Sequence, residues 1–235
     1  MNNKSRVYMV PTFLDELAIH TIPAYVLDCI KTCEVFFVEN ERSARRFIKA
    51  LDKGIIIDKY EWFTIHKTEE LVRGEFRKKV QEGKIIGILS EAGCPGVADP
   101  GQFLAGLAQE IGLQVVPLVG PSSILLALMA SGMNGQHFRF VGYLPIESQT
   151  RQQCIRELEA DSSKTNCTQI FIETPYRNNQ LIEVLLKTCR ANTRLCVAAN
   201  ITGKEESIRT KTIAQWRADI PQLHKIPVIF LIQAG

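Results

Sequence analysis

The feature that most constrains this chain is the alternation of short, continuously apolar runs with amphipathic stretches. Arg6–Val10, Glu34–Val38, Lys84–Leu89 and Gln114–Leu118 have strand length and strand composition. Helical patterns fill the intervals at Ile22–Ile30, Ser43–Leu51, Thr68–Gln81 and Gln102–Glu110, with Gly83 and Gly112 just past two helix ends. Apolar runs without alternation suit strands covered on both faces, and β-α-β order builds a parallel sheet. The first half is therefore read as an open, mostly parallel α/β sheet, with a further strand around Trp62–Ile65.

The pattern changes after Gly132. Strands at Phe138–Tyr143, Thr168–Glu173, Arg194–Ala199, Ser207–Thr212 and Val228–Gln233 are separated by only three helices, Thr150–Ala160, Asn178–Cys189 and Ile213–Ile220. The short polar loop Asn200–Glu206 joins its two strands as an antiparallel hairpin. The second half is thus expected to be a mixed sheet. The turn at Met133–Gln136 sets the expected domains at 1–133 and 134–235.

Composition narrows the function classes. A chain of 235 residues that is 46% hydrophobic and 23% charged is an ordinary globular protein, far from the disordered regime. A net charge of +3 does not demand a nucleic-acid partner, and permits one where basic residues cluster. The apolar run Ile124–Ala130 is far short of the roughly 20 residues of a membrane span. Val7–Val10 is too short for a signal-peptide core, so a cytoplasmic protein is expected. Seven cysteines without a C-x-x-C pair and four histidines without metal spacing point to buried thiols and no metal. No Walker loop or G-x-G-x-x-G is present.

Two segments carry the chemistry. Ser90–Gly101 follows a strand and precedes a helix, with three glycines and two prolines, which marks a ligand-binding loop at the carboxyl end of a sheet. Val119-Gly120-Pro121-Ser122-Ser123 ends the next strand with a tight turn and two hydroxyls. In these two segments the chain resembles the tetrapyrrole methylase superfamily, and within it the small-subunit ribosomal RNA methyltransferases that act on a cytidine 2′-hydroxyl. That branch's S-D-A-G-T-P-x-x-S-D-P-G reads here Ser90-Glu91-Ala92-Gly93-Cys94-Pro95-Gly96-Val97-Ala98-Asp99-Pro100-Gly101. Its P-G-P-S reads Val119-Gly120-Pro121-Ser122, its E-D-T-R reads Glu39-Asn40-Glu41-Arg42, and its F-Y-E-S-P-H-R reads Phe171–Arg177. Order and spacing hold from about Val7 to Phe230.

The resemblance implies two α/β lobes, a homodimer, and S-adenosylmethionine held between the lobes. Carried over position by position, the cofactor-binding residues are Pro11, Ala92, Gly93, Cys94, Val97, Ser122, Ser123, Glu173, Asn200 and Ile201. Glu91 and Arg42 are the catalytic candidates, the first as a carboxylate past a strand end, the second by its motif position. Glu39 is a second carboxylate of the same kind. Arg42, Arg45, Arg46 and Lys49 share a helix face that suits RNA phosphates, and His66 matches a histidine of the RNA branch.

The chain also departs from the branch. T-P-I-G-N-L-x-D is replaced by Val10-Pro11-Thr12-Phe13-Leu14-Asp15-Glu16-Leu17, and A-R-E-L-T-K by Ala199-Asn200-Ile201-Thr202-Gly203-Lys204. The aspartates of S-D-A-G and E-D-T-R are Glu91 and Asn40. It resembles a divergent paralogue. The expected acceptor is a ribose of small-subunit RNA, with a tetrapyrrole or other small molecule, or cofactor binding without catalysis, as alternatives.

Overall fold

The computed structural model describes residues 5–65 and 69–235; the expectations for His66 and for a helix beginning at Thr68 lie outside the described residues. The chain forms two compact units that divide between Ser122 and Ser123.

The first unit has five parallel strands: β1 (Arg6–Val10), β2 (Val35–Val38), β3 (Glu61–Thr64), β4 (Ile85–Leu89) and β5 (Gln114–Pro117). Their spatial order is β3-β2-β4-β1-β5. Four helices connect them: α1 (Ala24–Thr32), α2 (Glu41–Leu51), α3 (Glu69–Gln81) and α4 (Gln102–Glu110). The period of two along each strand sends alternate residues to opposite faces. Tyr8, Val10, Phe36 and Val38 therefore pack with Val26 and Ile30 of α1 and Phe47 and Ile48 of α2. Val7, Met9, Val35 and Phe37 pack with α3 and α4 through Phe76, Leu104 and Leu107. Gly87 on β4 leaves room for the fully buried Phe36 ring, since a Cβ there would lie 2.3 Å from it.

The second unit starts with α5 (Ser123–Ser131) and continues through β6 (Phe138–Tyr143), α6 (Ser148–Thr165), β7 (Thr168–Ile172) and α7 (Asn178–Thr188). It ends with β8 (Arg194–Ala199), β9 (Ser207–Thr212), α8 (Ile213–Ala218) and β10 (Val228–Gln233). The sheet order is β6-β7-β10-β8-β9; β6 and β7 are parallel and every other pair is antiparallel, including the β8–β9 hairpin. The compact division falls ahead of the turn expected to bound the domains at 133/134. The reason is that α5 and the turn after it are tied to the second sheet. Thr210 Oγ1 donates to Ser131 O at 2.8 Å, and the Arg194 guanidinium donates to Gly132 O at 3.1 Å.

α6 begins ahead of the Thr150 read from sequence because Glu147 caps it, a residue outside the usual Ser/Thr/Asp/Asn set. Its carboxylate accepts from the Thr150 hydroxyl at 2.5 Å and from the N–H groups of Thr150 and Gln149 at 2.6 and 2.9 Å. These bonds hold its pKa down to about 2, below the ordinary value of 4.5. A depressed carboxylate stabilises the fold above its unfolded pKa and loses that contribution as pH falls through the folded one. Thermal melts of Glu147→Gln should therefore lie below those of the native chain at pH 6 and converge with them between pH 4.5 and about 2. A constant gap across that window contradicts the assignment.

Candidate functional site

In the first unit three loops meet at the carboxyl edge, because β1 lies between β4 and β5. The loop after β1 pairs with the glycine loop after β4: Thr12 N–H donates to Gly93 O at 2.9 Å, and Gly93 N–H donates to Thr12 O at 3.2 Å. Gly93 holds φ at +75°, where a side chain is strained, and a Cβ there would also crowd Leu14 at 3.2 Å. The third loop closes on the first. A Cβ at Gly120 would lie 2.2 Å from Pro11 Cβ. Tyr25 of α1 fixes the same turn, its hydroxyl accepting from Val119 N–H at 2.6 Å. The smallness at Gly93 and Gly120 thus serves loop against loop.

The rest of the glycine loop is braced from within. Asp99 Oδ1 accepts from Gly96 N–H at 2.9 Å and Gly101 N–H at 2.7 Å, which curls the loop into the start of α4. Ser90 Oγ donates to Ala92 O at 3.2 Å. Cys94 Sγ lies 3.5 Å from Pro121 O, and burial pushes its thiol pKa up. Ala92 and Val97 are exposed. The main-chain N–H groups of Ala92 and Cys94 donate to nothing among the described residues.

α2 projects from the neighbouring strand β2. Asn40 caps it, accepting from Arg42 N–H at 3.0 Å and Ser43 N–H at 3.3 Å, so the Asp-to-Asn departure keeps the cap. Glu39 stands beside Glu91 and Asp99: Glu91 N–H donates to Glu39 Oε2 at 3.3 Å. Burial raises the Glu39 pKa and the nearby Asp99 and Glu91 charges add to it, opposed by the Glu91 N–H. A raised carboxylate costs stability as pH climbs through its folded pKa. Glu39→Gln should therefore raise Tm most at and above neutral pH, with the gain shrinking in acid. A gain that grows in acid is the contrary result.

The basic face of α2 is mostly engaged. Arg45 pairs with Glu41 at 2.6 Å and lies over the Trp62 ring at 5.3 Å. Arg46 pairs with Glu16 at 2.7 Å, and Lys49 donates to Lys53 O at 3.0 Å. Among the described residues the exposed Arg42 side chain has no partner. Behind the first loop is a pocket of about 150 Å³ whose walls include Phe13, Leu14, Phe47, Ser43, Ser90 and Glu91.

The second unit has its own cluster. β7 and β8 flank β10, and their carboxyl ends lie beside its first residues, with Ile172 opposite Ile229 and Ala199 opposite Val228. Glu173 follows β7, its side chain fully enclosed. Glu173 Oε1 accepts from Thr174 N–H at 2.7 Å and from Arg177 at 2.9 and 2.5 Å, while Oε2 is buried with no donor among the described residues. Asn200 follows β8 at φ 49°, its N–H bonded to Pro227 O at 3.0 Å, and Ile201 beside it is buried. Within the first unit the structure brings together Pro11, Ala92–Cys94 and the turn before Ser122. Within the second it gathers Glu173, Asn200 and Ile201 along one sheet edge, with Ser123 opening α5. Thr12, Tyr25 and Asp99 escaped the sequence reading as site-building residues. Only Asp99 left a signal, in Asp-Pro-Gly.

Residues 20–216 match the family described as Tetrapyrrole (Corrin/Porphyrin) Methylases. The chain belongs to the tetrapyrrole methylase family. It is an S-adenosylmethionine-dependent methyltransferase. It is 27% identical over 235 residues to a ribosomal RNA small subunit methyltransferase I of Vibrio cholerae, covering 98% of this chain and 78% of that protein. Its identity to the protein of the same name from Mesorhizobium japonicum is 30% over 207 residues, 88% of this chain and 67% of that one. Two solved structures share the fold at 14% identity. The methyltransferase CobJ has a TM-score of 0.65, covering 98% of this chain and 94% of that one. The uroporphyrin-III C-methyltransferase of Thermus thermophilus, complexed with S-adenosyl homocysteine, has a TM-score of 0.59 and covers 97% of each chain. Among the described residues no helix of this methylase is long and apolar enough to cross a membrane, and no group of three or more His, Cys, Asp or Glu is placed to hold a metal ion.

Proposed function

We propose that this methylase acts in the cytoplasm, as a homodimer, on the RNA of the small ribosomal subunit, at a ribose 2′-hydroxyl. The observation that carries the reading is the relation to ribosomal RNA small subunit methyltransferases I along 98% of the chain. Met129 on α5, 79% exposed, Tyr143 at the end of β6 and Ile146 just past it supply apolar surface for a second copy.

The residues present fit the cofactor. The first unit offers the exposed small side chain of Ala92, the unpartnered N–H groups of Ala92 and Cys94, and Pro11, Gly93, Val97 and Ser122 around them. Such donors suit an acidic or ring-nitrogen acceptor. The second unit offers Ser123, Asn200, Ile201 and Glu173, whose donor-less Oε2 suits a hydroxyl or amino group. S-adenosylmethionine supplies an electrophilic methyl group; the chain's part is to align the acceptor and exclude water. Arg42, exposed and without a partner among the described residues, holds a phosphate next to the acceptor, and Glu91 faces the acceptor from the pocket wall. Glu39, whose pKa burial raises, accepts the hydroxyl proton.

Labelled S-adenosylmethionine offered with undermodified small subunits, and separately with a porphyrinoid, tests this. Label in the RNA alone is the expected result. Label in the porphyrinoid alone, or in neither while the cofactor binds, overturns the RNA reading.

A further inference from the structure

At the carboxyl edge of the second sheet two exposed rings stand in contact. Tyr176, 70% exposed, lies past the end of β7 and meets the His224 ring edge to face, with centroids 6.1 Å apart and planes at 70°. The segment that carries His224 into β10 is tied to the start of α7. Lys225 N–H donates to Pro175 O at 2.9 Å, and Leu223 N–H donates to Asn179 Oδ1 at 2.7 Å. Asn178, fully buried, donates from Nδ2 to Ile226 O at 2.7 Å. The two rings therefore sit on a braced frame and lose little freedom when a ligand covers them. Lys225 holds φ at +62°, in the left-handed region. Its exposed ammonium makes no salt bridge or hydrogen bond among the described residues, whereas Arg177 nearby is answered by Glu173.

We infer that Tyr176, steadied by His224, is a stacking platform for an unpaired base of the RNA, with Lys225 against that nucleotide's phosphate; the inference rests on the RNA reading above. Unpaired bases are held on tyrosine and histidine rings through their π-faces, so the contact asks for no particular base. A second copy of the chain suits the patch less well. Interface cores are depleted of lysine, and here an open ammonium stands beside the rings. Its charge complements a phosphate instead. The place is apt as well. Glu173 and Asn200, assigned above to the cofactor, follow strands on the same sheet edge, and Asn200 N–H bonds Pro227 O two residues past Lys225. A base held on Tyr176 keeps the RNA at that edge.

The test uses the full chain with undermodified small subunits. Tyr176→Leu keeps an apolar side chain and removes the ring. KM for the subunits should rise at least about fivefold, the lower end for one stacked base, with kcat and cofactor Kd within about twofold of native. Tyr176→Phe keeps the ring and should restore KM to within about twofold. Lys225→Asn removes the charge and tolerates the left-handed backbone. The dependence of log Kd for the subunits on log salt should then lose about 0.7 of its slope, the share of one phosphate contact. Both Tyr176 variants should melt as the native chain does, since the side chain is exposed. Native KM in Tyr176→Leu, an equal loss in Tyr176→Phe, or a fall in Tm that tracks the rise in KM overturns the platform and leaves the RNA reading intact. A change from dimer to monomer on sedimentation of Tyr176→Leu overturns it in favour of a contact between copies. RNA left unlabelled by the native chain removes the RNA reading and this inference with it.

Discussion

Gly120→Ala is expected to destabilise the first unit by about 1–3 kcal/mol, the range for overpacking a tight contact, and to weaken cofactor binding at least about tenfold. The added methyl would stand 2.2 Å from Pro11 Cβ and 2.4 Å from its Cγ. Neither partner can yield by a rotamer change: proline's ring is fixed to its backbone, and Pro11 continues directly from β1, an interior strand of the sheet. Relief must come from moving the first loop away from the turn. That motion pulls on the Thr12–Gly93 bridge and so displaces Ala92 and Cys94, whose N–H groups face the ligand in this account. Gly106→Ala in α4 is the control. Its Cβ meets nothing within 4 Å, and replacing a helical glycine should stabilise by about 0.5–1 kcal/mol. Thermal melts and cofactor calorimetry on both variants check the pair. Unaltered cofactor affinity in Gly120→Ala would show that the loops are not coupled through this contact.

The second large effect is at Glu173. Glu173→Ala removes the partner of Arg177 and of the Thr174 N–H from a site where the carboxylate is fully enclosed. Stranding one member of a fully buried pair costs about 3–5 kcal/mol. Arg177 remains 31% exposed and can turn to water, so about 1–3 kcal/mol is expected. Glu173→Gln separates the ligand role from the structural one. Its amide oxygen can replace Oε1 toward Arg177, but an N–H then stands where the donor-less Oε2 stood. Tm should change much less than in Glu173→Ala while cofactor affinity falls. Equal affinity for the Gln variant and the native chain would remove Glu173 from the binding set and leave it as the anchor of Arg177.

Much of the fold was legible because its signals are local. β6, β8, β9 and β10 match the ranges read from sequence, β9 through the polar hairpin loop that joins it to β8. The start of α6 was missed because glutamate is an unusual cap, and only the folded backbone shows Glu147 reaching Thr150. The division at Ser122 was missed because α5 is apolar almost all round, so its sequence gives no hint of which sheet it joins. For the site, glycines and prolines marked the loops, but not which surface each glycine serves. Gly93 and Gly120 admit Leu14, Pro121 and Pro11, contacts made across the sheet edge. The α2 basic face misled for a similar reason. Arg45 and Arg46 find Glu41 and Glu16, and Trp62 sits beneath Arg45, so that among the described residues Arg42 is the cation of that face without a partner.

In the proposed function the cofactor side is built from main chain and small residues, and the acceptor side from Glu39, Arg42 and Glu91. Stability and activity then oppose each other at Glu39: its removal ends the cost of a buried charge and withdraws the proposed proton acceptor.

The most direct measurement is nucleoside analysis of small-subunit RNA after reaction with this chain and labelled S-adenosylmethionine. The expected result is label in a 2′-O-methylated ribose, formed by the native chain and strongly reduced in Glu39→Gln. Label on a base atom, or none in RNA while a porphyrinoid becomes methylated, would contradict it.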